Sequence, residues 1–380
     1  MGNDMEHLTP QNLMRIKIRK NISLAPYTNY KIGGLAQYFC EAGNKEEIIE
    51  ALSFAHKENV PVFILGGGTN VLIGEKGFDG LVIRMDNSQI YTNRKTDQHG
   101  SISVNLCSNL CEFVYVKVGA ETLLSDVIKF SLKNGLSGLE WAAGIPGTVG
   151  GAIRGNAGAF GSCVADVVES VKILGREQGI SYKLERMNNK TMKFGYRTSI
   201  VKEKGGMIVL ETVLRLKRIR RTPPTYVGRN LDGEWNHESK IMNKKKIEGY
   251  IKYRKEHHPL EYPSCGSVFK NITFTNGTNS HEYSRIKKLV GISEIGEIGV
   301  KRIIPAAMLI EKAGLCGRKI GNAQVSEKHC NFIINLGGAK AKDVKDLIEL
   351  CQKEVFKKFG VKLKPEVEMV GFDEHITHNT

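Results

Sequence analysis

The stretch GLSGLEWAAGIPGTVGGAIRGNAGAFG, residues 135–161, does most to decide which fold this chain can adopt. It holds nine glycines in 27 residues, yet it is too patterned for a linker and contains too many apolar residues for disorder. Glycine lacks a Cβ atom and tolerates positive φ, so successive backbone N–H groups can converge on an anion. Because ordinary loops are mostly about 2–6 residues long, tight turns alone explain such a segment poorly. The stretch therefore favours close approach of the backbone to a large phosphate-bearing ligand.

A second glycine-rich loop, LGGGTN at 65–70, follows the short apolar run 60–65. The chain contains no GxxxxGK[ST], which excludes a P-loop, and neither loop contains GxGxxG. Val71 stands where the latter pattern requires its last glycine. The two loops together predict a dinucleotide ligand that is held without the Rossmann fingerprint.

Helical and strand patterns are mixed on both sides of these loops, with no tandem repeat. Asn44 caps a predicted helix that carries Glu46 and Glu47 in its first turn. A long helix is predicted for 342–359, ending at Gly360. Shorter strands are predicted at 71–73, 81–83, 114–118, 167–174, 180–184, 207–216 and 361–370, and shorter helices from 124 to about 135 and at 306–313. The predicted fold class is α+β.

The charge of the chain is positive and unevenly distributed. Among 380 residues, 55 Lys and Arg stand against 40 Asp and Glu, a formal net charge of +15. Residues 215–258 hold 13 basic and 5 acidic side chains, an excess of 8. This permits a nucleic-acid-binding protein as well as an enzyme with an anionic substrate. Because Tyr226 and Trp235 are the only aromatic residues among the arginines of 218–245, we expect no nucleic-acid partner.

Compartment and metal content follow from features that the sequence lacks. No run approaches the roughly 18 apolar residues of a membrane span, and residues 1–20 have no apolar core of a secretory signal. We therefore expect a cytoplasmic protein without a membrane partner. The eight cysteines form no CxxC pair, so we expect no metal site and reduced, mostly buried thiols.

Several motifs occur together and in order along the chain. They are NYKIGG at 29–34, LGGGTN at 65–70, GIPGTVGGA at 144–152, NAGAFG at 156–161, Tyr196-Arg197, GSVFKN at 266–271, IGNAQVS at 320–326 and KPEV at 364–367. On these motifs the chain closely resembles the UDP-N-acetylenolpyruvoylglucosamine reductases, flavoenzymes of peptidoglycan precursor synthesis. The likeness covers roughly residues 23–372, and the compact turn before Ser267 resembles the shorter second type of this family.

The resemblance implies noncovalently bound FAD, NADPH as hydride donor and a UDP-sugar substrate. It also implies a fold: a two-subdomain FAD-binding domain of the vanillyl-alcohol-oxidase (PCMH) type, followed by a C-terminal α+β substrate-binding domain. The chain would divide into a basic extension, the FAD-binding domain, a basic insertion or linker, the substrate domain and a tail, at 1–22, 23–217, 218–245, 246–372 and 373–380. Two further insertions are expected, at about 90–113 and 277–303. We expect a monomer.

Three residues match the catalytic positions of this family. Arg197 would grip the carboxylate of the substrate, a task suited to a planar guanidinium that stays charged. Ser267 matches the proton donor to the enol, and Glu366 matches the catalytic glutamate. From residue type alone, Arg197 could equally be an ion-paired surface residue, Ser267 a turn residue and Glu366 an exposed acid, as we expect for Glu368. Cys265 is expected to be a buried thiol and not a nucleophile.

The resemblance also assigns binding residues. FAD would be held by two sets, Leu65, Gly66, Gly67, Gly68, Thr69 and Asn70 at the pyrophosphate, and Gly144, Ile145, Pro146, Gly147, Thr148, Gly150, Gly151 and Ala152 along the flavin and diphosphate. The substrate would contact Tyr196, Lys270, Asn271 and Gln324. Arg254, Lys255 and His257 are weaker candidates for its phosphates. A flavin-dependent sugar or alcohol oxidase on the same scaffold is the alternative function, and the set of Arg197, Ser267 and Glu366 argues against it.

Overall fold

The computed structural model describes residues 16–85, 102–105, 112–176, 182–219, 237–275, 280–291, 297–298 and 301–372. Its helices are α1 Lys45–Lys57, α2 Leu124–Lys133, α3 Val149–Gly155, α4 Ile200–Lys204, α5 His237–His257, α6 Ser280–Val290, α7 Ala306–Lys312 and α8 Ala341–Phe359. Its strands up to the middle of the chain are β1 Arg19–Ser23, β2 Leu35–Ala42, β3 Val62–Leu65, β4 Val71–Ile73, β5 Phe78–Met85, β6 Ile102–Asn105, β7 Phe113–Gly119, β8 Leu136–Ser137, β9 Gly158–Ala159 and β10 Ser162–Cys163. The others are β11 Val168–Arg176, β12 Tyr182–Asn188, β13 Met207–Arg218, β14 Ile272–Thr275, β15 Glu297–Ile298, β16 Lys301–Ile304, β17 Lys319–Ile320, β18 Ala323–Val325, β19 Ile333–Asn335 and β20 Glu368–Val370.

A four-stranded sheet in the order β1-β2-β5-β3 forms the first unit, with α1 against one face. Alternation along β2 sends Tyr38 and Cys40 to the core shared with α1 and Phe39 to the opposite core. Asn44 caps α1 as predicted, because its Oδ1 accepts the Glu47 N–H at 2.9 Å. The predicted extension 1–22 is wrong for its last residues: 19–22 belong to β1, whose backbone pairs antiparallel with β2.

The second unit is a six-stranded sheet in the order β12-β11-β13-β7-β6, with β8 attached to β13. All of its pairings are antiparallel. Helices α2 and α3 contribute apolar residues to its core, and α5 joins them by packing Ile247 and Tyr250 against that core. Asn243 of α5 donates to Glu140 Oε1 at 2.7 Å, which fixes the helix beside the glycine-rich stretch.

The C-terminal unit combines two three-stranded sheets, β14-β16-β15 and β17-β18-β19, with helices α6, α7 and α8. The buried face of α8 carries the apolar residues that the helical period selects, from Val344 to Phe359. Gly360 ends this helix with φ 70°, the left-handed conformation that glycine adopts at little cost. The long helix and its end are therefore confirmed.

The chain returns at its end to the first unit, since β20 pairs in parallel with β4. A continuous strand over 361–370 is wrong, because only Glu368–Val370 is a strand. Before it, the chain makes an isolated bridge between Pro365 and Phe269, where proline has no N–H to extend a ladder. This return brings residues 364–368 next to both the LGGGTN loop and the Ser267 segment.

One prediction about the cysteines is also wrong. Cys316 and Cys330 form a disulfide, because the hairpin β17-β18 brings their Cα atoms to 5.2 Å, within the usual range for such a bond. Cys40, Cys265 and Cys351 are free and buried, as expected, and Cys163 is free and half-buried.

Residues 1–15, the 373–380 tail, most of the predicted insertions at 90–113 and 218–245 and a smaller part of the one at 277–303 lie outside the described residues. Among the helices that are described, none has both the length and the apolar character that a membrane crossing requires.

Candidate active site

The two glycine-rich loops touch each other, although about 80 residues separate them in the chain. A Cβ atom at Gly67 would lie 3.1 Å from Gly147 Cα, and one at Gly147 would lie 2.8 Å from Thr69 Oγ1. Gly147 also has φ +112°, which side-chain-bearing residues rarely adopt. Gly67 therefore lies against the backbone of Gly147, Gly147 lies against the side chain of Thr69 with a φ that favours glycine, and the two loops pack against each other.

The remaining residues of these loops divide into two groups. Thr148 caps α3 by accepting the Gly151 N–H at 3.3 Å, and its Oγ1 lies 3.1 Å from a Cβ built on Gly66. Gly150 and Ala152 have packing reasons instead, since Gly150 N donates to Ala120 O at 2.7 Å and Ala152 is buried in the core of the second sheet. Residues 65–70 and 144–148 together form the joint glycine loop, in which Gly67, Asn70, Gly144 and Pro146 are exposed and Leu65, Gly68 and Thr148 are buried.

Arg197 occupies the second position of a two-residue turn. Gly195 and Thr198 pair with each other across this turn, and Arg197 itself has φ 57°. A left-handed conformation at a residue other than glycine costs on the order of 1 kcal/mol or more and is common where a side chain must be aimed. The glycine-rich stretch 135–161 holds this turn in place, because Asn156 Nδ2 donates to Gly195 O at 2.8 Å.

The guanidinium of Arg197 forms an ion pair with Glu366. Arg197 Nε lies 2.9 Å from Glu366 Oε1, and both side chains are largely buried, 23% and 18% exposed. Glu366 is held in turn by the LGGGTN loop, since Asn70 Nδ2 donates to the Glu366 carbonyl at 3.0 Å. A contact across 296 residues therefore joins a predicted cofactor loop to two predicted catalytic residues.

Ser267 lies on the other side of Glu366. The Glu366 N–H donates to Val268 O at 2.7 Å, and Ser267 forms a bridge with Phe332. Asn331 fixes this short segment, because its side-chain amide exchanges two hydrogen bonds with the backbone of Phe269 at 2.9 Å each. The structure thus brings Arg197, Glu366 and the Ser267 segment together.

The predicted substrate-binding residues do not all lie beside the Arg197 turn. The Asn271 N–H donates to Tyr196 Oη at 3.2 Å, so these two residues connect the Arg197 turn with the Ser267 segment. Lys270 is half-buried beside them, and its N–H donates to Lys364 O at 2.9 Å. Gln324 uses its amide to donate to Gly317 O at 3.1 Å, a contact within its own hairpin.

Of the three upstream candidates, Arg254 alone reaches the glycine loops. Its Nε donates to Ala143 O at 2.9 Å, and its Cδ lies 2.8 Å from a Cβ built on Gly144. Lys255 is exposed, and His257 stacks on Tyr253 at the surface of α5.

Comparison with known proteins accords with this geometry. A sequence profile described as UDP-N-acetylenolpyruvoylglucosamine reductase, C-terminal domain, matches residues 258–370, and one described as FAD binding domain matches residues 36–183. A UDP-N-acetylenolpyruvoylglucosamine reductase of Caldanaerobacter subterraneus subsp. tengcongensis is 37% identical over 93% of this chain and 94% of its own length. The chain belongs to the UDP-N-acetylenolpyruvoylglucosamine reductase family. Its expected α+β architecture, with an FAD-binding domain before the C-terminal domain, is confirmed.

Two further relatives extend the likeness. The Listeria monocytogenes reductase of the same name is 33% identical and covers 94% of this chain and 97% of its own. The crystal structure of the Thermus caldophilus enzyme superposes with a TM-score of 0.63 at 27% identity, covering 94% of this chain and all of that one. Thr198 follows Arg197 in the turn, and its hydroxyl donates to Glu203 at 3.2 Å.

The residues present fit FAD, which the family and the matched domain imply. The joint glycine loop leaves backbone groups uncovered by side chains, as a dinucleotide pyrophosphate requires. Next to it, Thr122 is 2% exposed, its carbonyl accepts the Val149 N–H, and its Oγ1 has no hydrogen-bond partner in the described part of the chain. A buried hydroxyl without a partner is costly, and a bound ligand would satisfy it.

We expect Gly68→Ala to reduce FAD affinity by about tenfold or more, which corresponds to about 1.4 kcal/mol. Gly68 has φ +61°, and an added Cβ would lie 1.9 Å from Tyr27 O, so the loop must move. A fluorescence titration of the apoprotein with FAD measures the change. Gly155→Ala is the matched control, since a Cβ there meets nothing within 4 Å. Wild-type FAD affinity in Gly68→Ala would contradict the proposal that the joint glycine loop binds FAD.

Sequence reasoning missed three features of the site. Glu368 is not a free exposed acid, because Arg154 binds it in a bidentate ion pair at 2.7 and 3.0 Å. Asn156, which holds the Arg197 turn through Gly195 O, is the first residue of the NAGAFG motif, and that position could have indicated its role. Lys202 carries no motif signal, although its ammonium lies 3.4 Å from the carbonyl of Arg197, five residues earlier in the chain.

Burial decides the state of Cys265. The thiol is 7% exposed, burial raises its pKa to about 12, and its Sγ donates to Val71 O at 3.2 Å. A thiol with so high a pKa is a poor nucleophile at neutral pH, so the expected inert, buried cysteine is confirmed.

Proposed function

We propose that this protein reduces UDP-N-acetyl-3-O-(1-carboxyvinyl)glucosamine to UDP-N-acetylmuramate, a step of peptidoglycan precursor synthesis. NADPH is the hydride donor. The observation that carries the proposal is the Arg197–Glu366 pair, placed between the Ser267 segment and the joint glycine loop. The names of the relatives support the reaction, since they are curated as UDP-N-acetylenolpyruvoylglucosamine reductases.

FAD, when bound, supplies two-electron chemistry by accepting a hydride from NADPH and returning one to the β-carbon of the enolpyruvyl group. Negative charge then develops on the α-carbon and the carboxylate of the substrate. Arg197 stabilises this charge, because its guanidinium is a cation that lies in a largely buried site where electrostatic interactions are strong.

Ser267 donates the proton that the α-carbon requires, and solvent returns a proton to its hydroxyl afterwards. A serine hydroxyl is a weak acid, so it can serve only a strongly basic carbanion with cations nearby. Glu366 orients Arg197 through their ion pair, and its backbone N–H fixes Val268, the neighbour of Ser267. Tyr196, Lys270 and Asn271 line the substrate side of the same turn.

Anaerobic absorbance spectroscopy tests the proposal. The purified protein should show a flavin spectrum, NADPH should bleach it, and the enolpyruvyl UDP-sugar should restore it without oxygen. Reoxidation by air, with no response to that substrate, would favour the alternative flavin-dependent oxidase. A colourless protein that takes up no FAD would overturn both.

We also propose that the protein acts in the cytoplasm, where NADPH and UDP-sugars are available, and that it acts as a monomer. All of the site residues named above come from one chain. Sedimentation of the FAD-bound protein should give a mass close to the 42.2 kDa of a single chain. Cell fractionation should recover it with cytoplasmic enzymes.

A further inference from the structure

Lys202 is held beside the Arg197 turn by a short, well-anchored helix. It lies in α4, where Ile200 and Val201 are buried, and Ser199 Oγ just before the helix donates to Arg154 O at 2.8 Å. The Lys202 ammonium is half-buried and lies 3.4 Å from the Arg197 carbonyl. The anchored helix and the contact with the Arg197 carbonyl therefore fix the position of the Lys202 ammonium.

The charges around this ammonium do not balance. Glu366 is engaged by Arg197 at 2.9 Å, and Glu368 is engaged by Arg154 at 2.7 Å. In the described part of the chain, Lys202 has no carboxylate of its own within ion-pair distance.

Lys270 is a second half-buried ammonium close enough to repel Lys202. Burial lowers the Lys202 pKa first, Lys270 and Arg154 lower it further, and Glu368 and Glu366 offset this only in part. A partly buried cation among other cations is costly unless an anion completes the set.

The arrangement also leaves a task that Arg197 cannot do alone. Because Glu366 already neutralises Arg197, an incoming carboxylate would meet a pair of zero net charge. A second cation beside this turn would make the site attractive to an anion, and Lys202 in α4 is such a cation. We propose that Lys202 binds the carboxylate of the enolpyruvyl group, next to Arg197, and thereby distinguishes carboxylate-bearing UDP-sugars from those without one.

This inference rests on the proposed function, but equilibrium binding can test it separately. The probes are UDP-N-acetylmuramate, which carries a carboxylate, and UDP-N-acetylglucosamine, which has the same diphosphate and lacks that group. Binding is followed by calorimetry with FAD-bound protein. The variants are Lys202→Gln, Lys202→Arg and the control Lys204→Gln, an exposed lysine of the same helix.

Lys202→Gln should weaken UDP-N-acetylmuramate roughly 10- to 100-fold, as loss of a hydrogen bond between charged groups does. It should leave UDP-N-acetylglucosamine unchanged, Lys202→Arg should restore part of the loss, and Lys204→Gln should behave as wild type. An unchanged FAD content and melting temperature would confirm that the variant is folded.

Three outcomes would overturn the inference. Equal weakening of both ligands would place Lys202 at the diphosphate, and no weakening of either would make it a structural residue. A wild-type protein that binds both ligands equally would have no carboxylate discrimination to explain. Failure of the proposed function is a different result, since it would appear as a wild-type enzyme that does not turn over the enolpyruvyl substrate.

Discussion

Ser267→Ala is expected to slow reoxidation of the flavin by the enolpyruvyl substrate by about 10²- to 10⁴-fold, the usual contribution of a positioned proton donor. Reduction by NADPH should stay nearly intact, because only the second half-reaction requires a proton on the α-carbon. The backbone of the segment should not change, since Val268 and Phe269 are held by Asn331 and Glu366 through main-chain groups. Stopped-flow absorbance separates the two half-reactions.

Ser264→Ala is the matched control for this experiment. Ser264 is half-buried in the same turn, three residues before Ser267. We expect the Ser264→Ala variant to carry out both half-reactions at wild-type rates. Equal damage to both half-reactions in Ser267→Ala would mean that the serine is structural. Retention of the wild-type rate of reoxidation would remove it from the mechanism.

Arg197→Asn is expected to cost about 10²- to 10³-fold in the second half-reaction, comparable to the removal of one donor that stabilises developing negative charge. Asparagine is the informative replacement, because it tolerates the positive φ of 57° at this position better than most residues. The turn should therefore survive, and the rate should report the loss of the guanidinium. Single-turnover reoxidation at saturating substrate measures the effect.

Arg186→Asn provides the comparison for Arg197→Asn. The exposed Arg186 side chain on β12 lies 3.7 Å from Glu211, which Lys117 also pairs at 2.6 Å, so loss of Arg186 should leave both half-reactions unchanged. If Arg197→Asn were as active as this control, the cation for the carboxylate would have to be another residue. The FAD content of both variants shows whether the loops remain assembled.

Local patterns predicted much of the fold. The helix capped by Asn44, the long C-terminal helix and its end at Gly360 follow from capping and from helical period, which act within a few residues. The closing strand was overestimated, because Pro365 interrupts it and residues 364–366 pair with a distant segment. The disulfide between Cys316 and Cys330 was missed, because it depends on a hairpin that sets their separation.

The site divides in the same way. The motifs directed attention to Arg197, Ser267 and Glu366, and the structure places Arg197 against Glu366 and pairs Glu366 with the Ser267 segment. No local pattern pairs Glu368 with Arg154, which lies 214 residues earlier in the chain. The unpaired cation at Lys202 is visible only after both glutamates have been assigned to their arginines.

The nine glycines of residues 135–161, together with the LGGGTN loop, predicted by themselves a backbone-bound dinucleotide without a Rossmann fingerprint. This was possible because the absence of a Cβ atom is a property of each glycine, and the number and spacing of glycines can be read from the sequence. Only the tertiary structure decided which charges face each other at the site. Electrostatic pairing depends on distances of a few ångströms between segments that lie hundreds of residues apart in the chain, and sequence order does not determine those distances.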